Sequence, residues 1–351
     1  MATISKARCF VIFKQIKQHS HVYLGNSQQQ ISKAHMNIFI TGGSGFLGSR
    51  LIKTLVNSNH KVWALARSAD AQKIVMAAGA TPVMGSLDQI PRWAGALSQC
   101  EIVIHCAAPI DLWKPWPFFE NEIVNATQEL LVTAEQNNVK RFIYISSEAA
   151  LQNSISLMDI DETTPYPEEP NSYYGKAKQL AEKNIQAFSG TIETIILRPT
   201  FIWGANCPAL EDICQRARNN QFLWIDQGKS AFEQVHVDNV VQAVSLACTT
   251  GKSGSIYYVT DDHPLSVRAF FSAVFLQYGI TPPRLSLPSA MLATPTQMLE
   301  TIWKILPGKP PLTRFELAFL SQPRRYNINK IKQELTYKPK PFATLLLTLR
   351  H

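Results

Sequence analysis

The chain has no apolar run near the roughly 18 residues needed to cross a bilayer; the apolar stretch FATLLLTLR at 342–350 is far too short. Cysteine is sparse. Cys9, Cys100, Cys106, Cys207, Cys214 and Cys248 form no CxxC pair, and Cys106 falls in an apolar run. That usage fits a reduced intracellular protein better than a disulfide framework or a zinc site. No set of histidines and carboxylates has metal-ligand spacing, so no metal is expected. The segment SEAAL (147–151) lacks the surroundings of a nucleophile elbow, which argues against hydrolase chemistry.

Acidic residues are missing from both ends. Residues 1–35 carry five Lys/Arg and no Asp or Glu, and residues 301–351 carry ten Lys/Arg against Glu316 and Glu334. With +5 and +8 at the ends and +8 in total, the middle nets −5. No nucleic-acid-reading motif accompanies the basic residues, so no nucleic-acid partner is expected. The basic C-terminal segment is interleaved with Trp303, Phe315, Leu317 and Phe319. It reads as a solvated helical surface, with a peripheral membrane contact as the second reading.

What is present is an ordinary globular composition, 46% hydrophobic and 17% charged over 351 residues, enough for one large α/β domain or two modest ones. Regular patterning begins at MNIFITGG, from Met36. Residues 1–35 read as an extension upstream of the true start, as a basic targeting peptide, or as a structured N-terminal helix. A cytoplasmic location is expected, with organelle targeting through residues 1–35 as the weaker reading. From Met36 to about residue 200, short apolar runs alternate with helical stretches: NIFIT (37–41), KVWALAR (61–67), TPVMGS (81–86), EIVIHCA (101–107), KRFIYISS (140–147) and TIETIILRP (191–199) read as strands. Strands alternating with crossover helices imply a doubly wound parallel sheet covered on both faces, a Rossmann-type α/β fold. Residues 36–200 are expected to form this nucleotide-binding domain. Residues 201–351 are expected to form a smaller, mixed substrate lobe with some elements returning to the sheet.

Between the first strand and helix lies TGGSGFLG: Thr41, Gly42, Gly43, Ser44, Gly45, Phe46, Leu47 and Gly48. Glycines suit a sharp turn, a close pyrophosphate and a helix packed tightly on its strand. The N–H groups and dipole at the helix start favour an anion. A glycine triplet alone is weak; one opening the first strand–helix pair of an alternating pattern is much stronger. At the end of the second strand, where an NAD site has an acidic residue, stands Arg67. A cation there suits a 2′-phosphate, so NADP(H) is expected ahead of NAD(H).

Five motifs occur in order: TGGSGFLG, VIHCAAP (103–109), FIYISSEAA (142–150), YYGKAK (173–178) and ILRPTFIWG (196–204). Together they resemble the extended short-chain dehydrogenases/reductases of the epimerase/dehydratase superfamily. They are most similar to the branch holding 3β-hydroxysteroid dehydrogenases and dihydroflavonol-type reductases, and RRYNINKIKQELTYKP resembles that branch's C-terminal signature. The resemblance spans roughly residues 36–340. It implies Tyr174 and Lys178 as the Tyr-x-x-x-Lys pair, with Ser147 hydrogen-bonding the substrate oxygen (the alternative being Ser146, with Ser147 a strand-end cap) and Lys178 also binding the nicotinamide ribose. It further implies cofactor contacts at Ala107, Ala108 and Pro199, and through backbone at Leu87.

Helical geometry agrees with the pairing. At about 100° per residue, Tyr174, Lys178, Ala181 and Ile185 share one stripe, with Lys176, Gln179 and Lys183 opposite; Tyr173 is assigned to packing. An ammonium beside Tyr174 should favour its phenolate. Two departures from the family pattern stand out. Ser86 replaces the aspartate that meets the adenine, with Asp88 displaced, and Ile123 replaces a helix asparagine, with Asn121 and Asn125 nearby. His105 reads as a packed core residue, and His236 either packs or faces the substrate cleft. The aromatic DLWKPWPFF (111–119) suits an apolar alcohol or ketone such as a sterol, terpenoid or aldehyde. The alternatives are a nucleotide-sugar epimerase or dehydratase with retained NAD, and a non-catalytic NADP-binding regulator. A homodimer is left open.

Overall fold

The computed structural model describes residues 35–109 and 111–350; except for His35, the expectations for residues 1–35 lie outside these. Strand β1 (Asn37–Thr41) leads into α1 (Phe46–Asn57), β2 (Lys61–Ala66) into α2 (Ala69–Ala77), and β3 (Thr81–Met84) through two 3-10 turns to β4 (Ile102–His105). A long helical stretch follows: α3 (Trp116–Phe119), a π-helical segment (Glu120–Asn125) and α4 (Ala126–Gln136). Then come β5 (Arg141–Ile145), β6 (Leu157–Ile160), α5 (Tyr173–Gln186) and β7 (Glu193–Pro199). The C-terminal part holds β8 (Phe201–Trp203), α6 (Pro208–Arg218), β9 (Trp224–Ile225), β10 (Ala231–Phe232), β11 (Gln234–His236), α7 (Val237–Ala247), β12 (Ser255–Val259), β13 (Leu265–Ser266) and α8 (Val267–Gln277). It ends with β14 (Ser286–Leu287), α9 (Ser289–Trp303), α10 (Arg314–Ser321), β15 (Arg324–Tyr326) and short terminal helices.

Seven strands form one parallel sheet in the order β12-β7-β5-β4-β1-β2-β3. The fold is the expected doubly wound Rossmann type. Its inner strands are mostly apolar because both faces are covered. Alternate residues of β1 show this: Ile38 and Ile40 join one core with Leu51, Ile52 and Val244, while Phe39 joins the other with Leu130 and Ile185. Strand β12 lies at the sheet edge beside β7, although it is far along the chain. The remaining C-terminal elements surround a third core that is mostly aromatic, with Trp203, Trp224, Phe232, Phe270 and Phe271. Strand order reverses between β1 and β4. A parallel sheet opens a crevice at such a switch point, beyond the carboxyl ends of its strands.

One buried ion pair ties α5 to the sheet. The Arg198 guanidinium in β7 meets the Glu182 carboxylate through Nη2 at 2.6 Å and Nε at 3.0 and 3.1 Å. The Tyr166 hydroxyl donates to the same carboxylate at 2.6 Å, and Arg198 Nη1 donates to Tyr258 at 3.3 Å. Both charges are at most 1% exposed. Removing one partner strands the other in the interior. Glu182→Ala is therefore expected to lower the unfolding free energy by about 3–5 kcal/mol in urea titrations; a loss below about 1 kcal/mol would contradict this.

Candidate active site

The glycine turn sits at the switch point. Gly42 has φ +72°, and a Cβ there would stand 2.7 Å from the Ala107 backbone nitrogen. A Cβ on Gly48 would meet the Gly42 carbonyl oxygen at 2.2 Å, so only glycine allows α1 to start this close to β1. Gly43 is buried against Ala64, while Gly45 is exposed and faces open space apart from the Gly42 oxygen. The N-cap of α1 is Gly45, so no side chain there accepts from the first-turn N–H groups. A bare, glycine-lined helix start fits the pyrophosphate of a dinucleotide. Ser44 lies half-buried at the rim.

Behind the turn runs a buried hydroxyl–imidazole chain. The Ala107 N–H donates to Thr41 Oγ1 (3.4 Å), which lies 2.6 Å from His105 Nδ1, and His105 Nε2 lies 3.1 Å from Thr127 Oγ1. Burial, with Lys178 nearby, lowers the imidazole pKa to about 3, so His105 is neutral and structural. The chain ties the glycine turn to β4 and α4.

Ser147, Tyr174 and Lys178 come together where β5 ends. Ser147 caps a 3-10 turn (Glu148–Leu151), its Oγ accepting from Ala149 N at 3.2 Å. Ser146, beside it, is 3% exposed and its hydroxyl has no partner among the described residues. Helix α5 is capped by Ser172 and packs on that 3-10 turn. The close fit depends on Gly175, where a Cβ would stand 2.4 Å from the Ala149 oxygen. Gly175 thus brings Tyr174 within hydrogen-bonding reach of Ser147, a role the sequence motif alone did not reveal. Lys178 is 1% exposed; its Nζ donates to the Ile145 carbonyl at 2.8 Å and stands 4.5 Å from the Tyr144 ring centroid and 5.9 Å from that of Tyr174.

Burial dominates the electrostatics. Desolvation lowers the Lys178 pKa to about 7, with Glu182 and Cys106 opposing. It raises the Tyr174 phenol to about 12, with Ser147 pulling it partly back. The upward push of burial on the phenol outweighs the lowering expected from the neighbouring Lys178 amine. In this state Tyr174 carries its proton at neutral pH.

The helix face expected to be polar is partly covered. Gln179 is 3% exposed and donates to the Pro167 carbonyl at 2.7 Å, because residues 161–170 fold over that flank. Lys183 is exposed and Lys176 half-buried, stacking on the Tyr166 and Trp116 rings respectively. Tyr173 is no core residue: half exposed, it sets its ring edge-on to Trp116 at 6.1 Å. Phe119, fully buried, lies edge-on to Tyr174 at 6.4 Å. Ile123 is buried in the π-helical segment, whereas Asn121 and Asn125 are exposed and hydrogen-bond each other, away from Lys178. His236 does not face a cleft; it caps α7 beneath Trp203, 1% exposed.

Elsewhere the predicted positions spread along the carboxyl edge of the sheet. Arg67 is exposed just beyond β2, with no ion pair or side-chain hydrogen bond among the described residues. Leu87 opens the 3-10 turn after β3, half-buried, and Asp88 is exposed. Ala107 and the exposed Ala108 follow β4, and the buried Pro199 ends β7. The sequence reading missed Glu148. Its carboxylate turns away from Ser147 to the Tyr326 hydroxyl and to Arg324 at 3.4 Å, locking the Ser147 turn to β15. Glu233, 2% exposed, has a pKa raised to about 8, chiefly by burial.

Comparison with known proteins places the chain in a family. A family model described as the 3-beta hydroxysteroid dehydrogenase/isomerase family matches residues 39–289. A sterol-4-alpha-carboxylate 3-dehydrogenase (decarboxylating) from Dictyostelium discoideum is 32% identical over 316 residues, covering 87% of this chain and 96% of that protein. A 4-hydroxy-2-methyl-3-oxo-4-farnesyl-3,4-dihydroquinoline-1-oxide ketoreductase from Stigmatella aurantiaca is 31% identical over 306 residues, covering 86% and 92%. Among solved structures, the crystal structure of gox2253 superimposes with a TM-score of 0.75 at 26% identity, over 90% of this chain and 97% of that one. The chain therefore belongs to the 3-beta hydroxysteroid dehydrogenase/isomerase family within the extended short-chain dehydrogenases/reductases, and is a nicotinamide-dependent oxidoreductase of CH–OH groups.

Proposed function

We propose that the chain interconverts a secondary alcohol and a ketone on an apolar, sterol- or terpenoid-like small molecule, with NADP(H) as partner and Tyr174 as the acid/base. The observation that carries this reading is the meeting of the Tyr174 phenol, the Ser147 hydroxyl and the Lys178 amine beside the glycine turn. A bound nicotinamide would supply the hydride, or accept it in the oxidative direction. Tyr174 gives its phenolic proton to the carbonyl oxygen, and Ser147 donates a hydrogen bond to the same oxygen as negative charge develops. Lys178, held by the Ile145 carbonyl, lies ready to favour the phenolate once the proton has left. Trp116, Phe118 and Phe119 gather on the α5 side of the site as an apolar wall. Similarity to proteins named for a sterol carboxylate and a farnesylated quinoline supports the same substrate class.

Removing only the phenolic oxygen separates chemistry from binding. Tyr174→Phe should lower kcat by about a hundred- to ten-thousandfold in an NADPH-consumption assay on a panel of apolar ketones. Its Kd for NADPH should stay within about twofold; kcat within about threefold of the native value would remove Tyr174 from the mechanism.

The exposed, unpaired Arg67 supports the preference for NADP(H) over NAD(H). Arg67→Asp should weaken NADPH binding at least about tenfold and leave NADH nearly unchanged. Equal weakening of both would remove the 2′-phosphate role.

Lys178 generates a pH prediction for the cofactor-free protein. Its folded pKa of about 7 lies below the ordinary 10.5, so between those values the unfolded chain binds more protons and stability rises with pH. Relative to Lys178→Met, the native chain should therefore gain stability from pH 7 to 9.5 in urea titrations. A difference that does not change with pH would mean that Lys178 remains fully charged when buried.

A further inference from the structure

Behind Ser147 the molecule buries two carboxylic acids and a single guanidinium. Glu148, 3% exposed, is the only residue of the turn after Ser147 with a polar side chain. Its carboxylate accepts from the Tyr326 hydroxyl and the Gln152 side chain and lies 3.4 Å from Arg324 Nε. Arg324 is held on its other side by the Phe319 carbonyl at 2.9 Å and the Phe319 ring at 4.5 Å; that ring lies in the aromatic core, not on the solvated surface suggested by sequence. Glu233, between β10 and β11, is 2% exposed. The Tyr326 N–H and the Thr260 hydroxyl are directed at its carboxylate. Its Oε2 has no partner, and it forms no ion pair among the described residues. Tyr326 thus bridges the two acids, phenol to one and backbone to the other. Burial pushes that phenol far above its ordinary pKa, so it stays a donor.

The charges in this cluster can be counted. One guanidinium balances one carboxylate, and Arg324 serves Glu148, opposing the upward push of burial. Glu233 faces Glu148 and Asp262, both of its own sign, and Asp262 is engaged by Lys332. Tyr258 stacks on Tyr326 at 4.6 Å, and the Arg198–Glu182 pair beyond it is already balanced. A second buried carboxylate without a cation is the costly arrangement, and a bound proton avoids it. Burial, with Glu148 adding to it, accordingly raises Glu233 to about 8.

The cluster bears on Ser147 more than on Tyr174. Helix α5 has its own anchor in Glu182 and Arg198. The Ser147 turn has only the Glu148 side chain with which to make a polar contact to the C-terminal elements. Within the turn Ser147 Oγ accepts from Ala149 N, which leaves its proton free for a substrate oxygen, and the aim of that proton follows the turn. We propose that Glu148 and Glu233 hold one negative charge between them, and that the resulting clamp on β15 makes Glu148 a positioning residue for Ser147. Ionising Glu233 adds a second negative charge beside Tyr326 with no cation to receive it, and loosens β15 from the turn. The inference rests on the role given to Ser147 above.

Two variants and one spectrum test it. Tyr326→Phe removes only the O–H given to Glu148. It should lower kcat about tenfold while ketone KM and NADPH Kd stay within about twofold. In a Ser147→Ala background the same change should cost less than about twofold. Glu233→Gln imitates the protonated acid. Native and Glu233→Gln chains should have equal kcat at pH 6.5, and the native value should fall about fivefold below the variant by pH 9.5. Lys178 and Tyr174 are present in both chains and cancel in that ratio. Infrared difference spectra, native minus Glu233→Gln, should show a protonated carboxyl at pH 6.5 that is gone at pH 9.5. Three results would overturn the proposal: no such band at pH 6.5, a kcat ratio that does not change with pH, or a Tyr326→Phe loss of the same size with and without Ser147. If Tyr326→Phe does not fold, the band and the ratio decide alone. Native kcat in Ser147→Ala would instead remove the role of Ser147 itself, and the infrared band, which needs no turnover, tells the two failures apart.

Discussion

A lysine stripped of water must be given partners, and the middle of this molecule is organised around that requirement. Lys178 donates to the Ile145 carbonyl, the last residue of β5. Its nearest anion is Glu182, one turn further along α5, and Glu182 is in turn held by Arg198 from β7. Tyr166 and Tyr258 close the set, so a loop and strand β12 take part as well. Each member satisfies a group that would be costly to bury alone. The result is a polar spine linking helix α5 to three sheet strands. The helix bearing Tyr174 cannot shift without breaking charge-assisted bonds.

The same edge of the sheet is fixed from two other directions. His105, kept neutral by burial, joins Thr41 at the glycine turn to Thr127 on α4. Glu148 joins the Ser147 turn to Arg324 and Tyr326, more than 170 residues away. The cradle for a dinucleotide, the Ser147 hydroxyl and the C-terminal elements are therefore parts of one connected framework.

Much of this was legible in the sequence because it follows local periodicity and spacing. The alternating apolar runs gave the strands, and TGGSGFLG stood where a strand turns into a helix. Tyr174 and Lys178, one turn apart, could be separated from Tyr173 and Lys176 by their helix face. What stayed hidden depends on long-range contact. Gln179 looked solvent-facing until residues 161–170 covered it. Gly175 matters because of the Ala149 carbonyl, which a helical wheel cannot show. The buried partner of Lys178 did leave a signal, since Arg198 interrupts an otherwise apolar strand and such a charge requires an anion. The upward push on the Tyr174 phenol was hidden too, because sequence shows the neighbouring ammonium and not the depth of burial.

Burial drives both members of the pair towards neutrality, Tyr174 up to about 12 and Lys178 down to about 7. A neutral phenol gives a proton and cannot accept one, so in the proposed role Tyr174 acts as the acid of carbonyl reduction and, once emptied, as the base of alcohol oxidation. A phenolate in that place calls for a full positive charge on Lys178. That charge is costly while Lys178 has only Ile145 O and the more distant Glu182 to offset its desolvation.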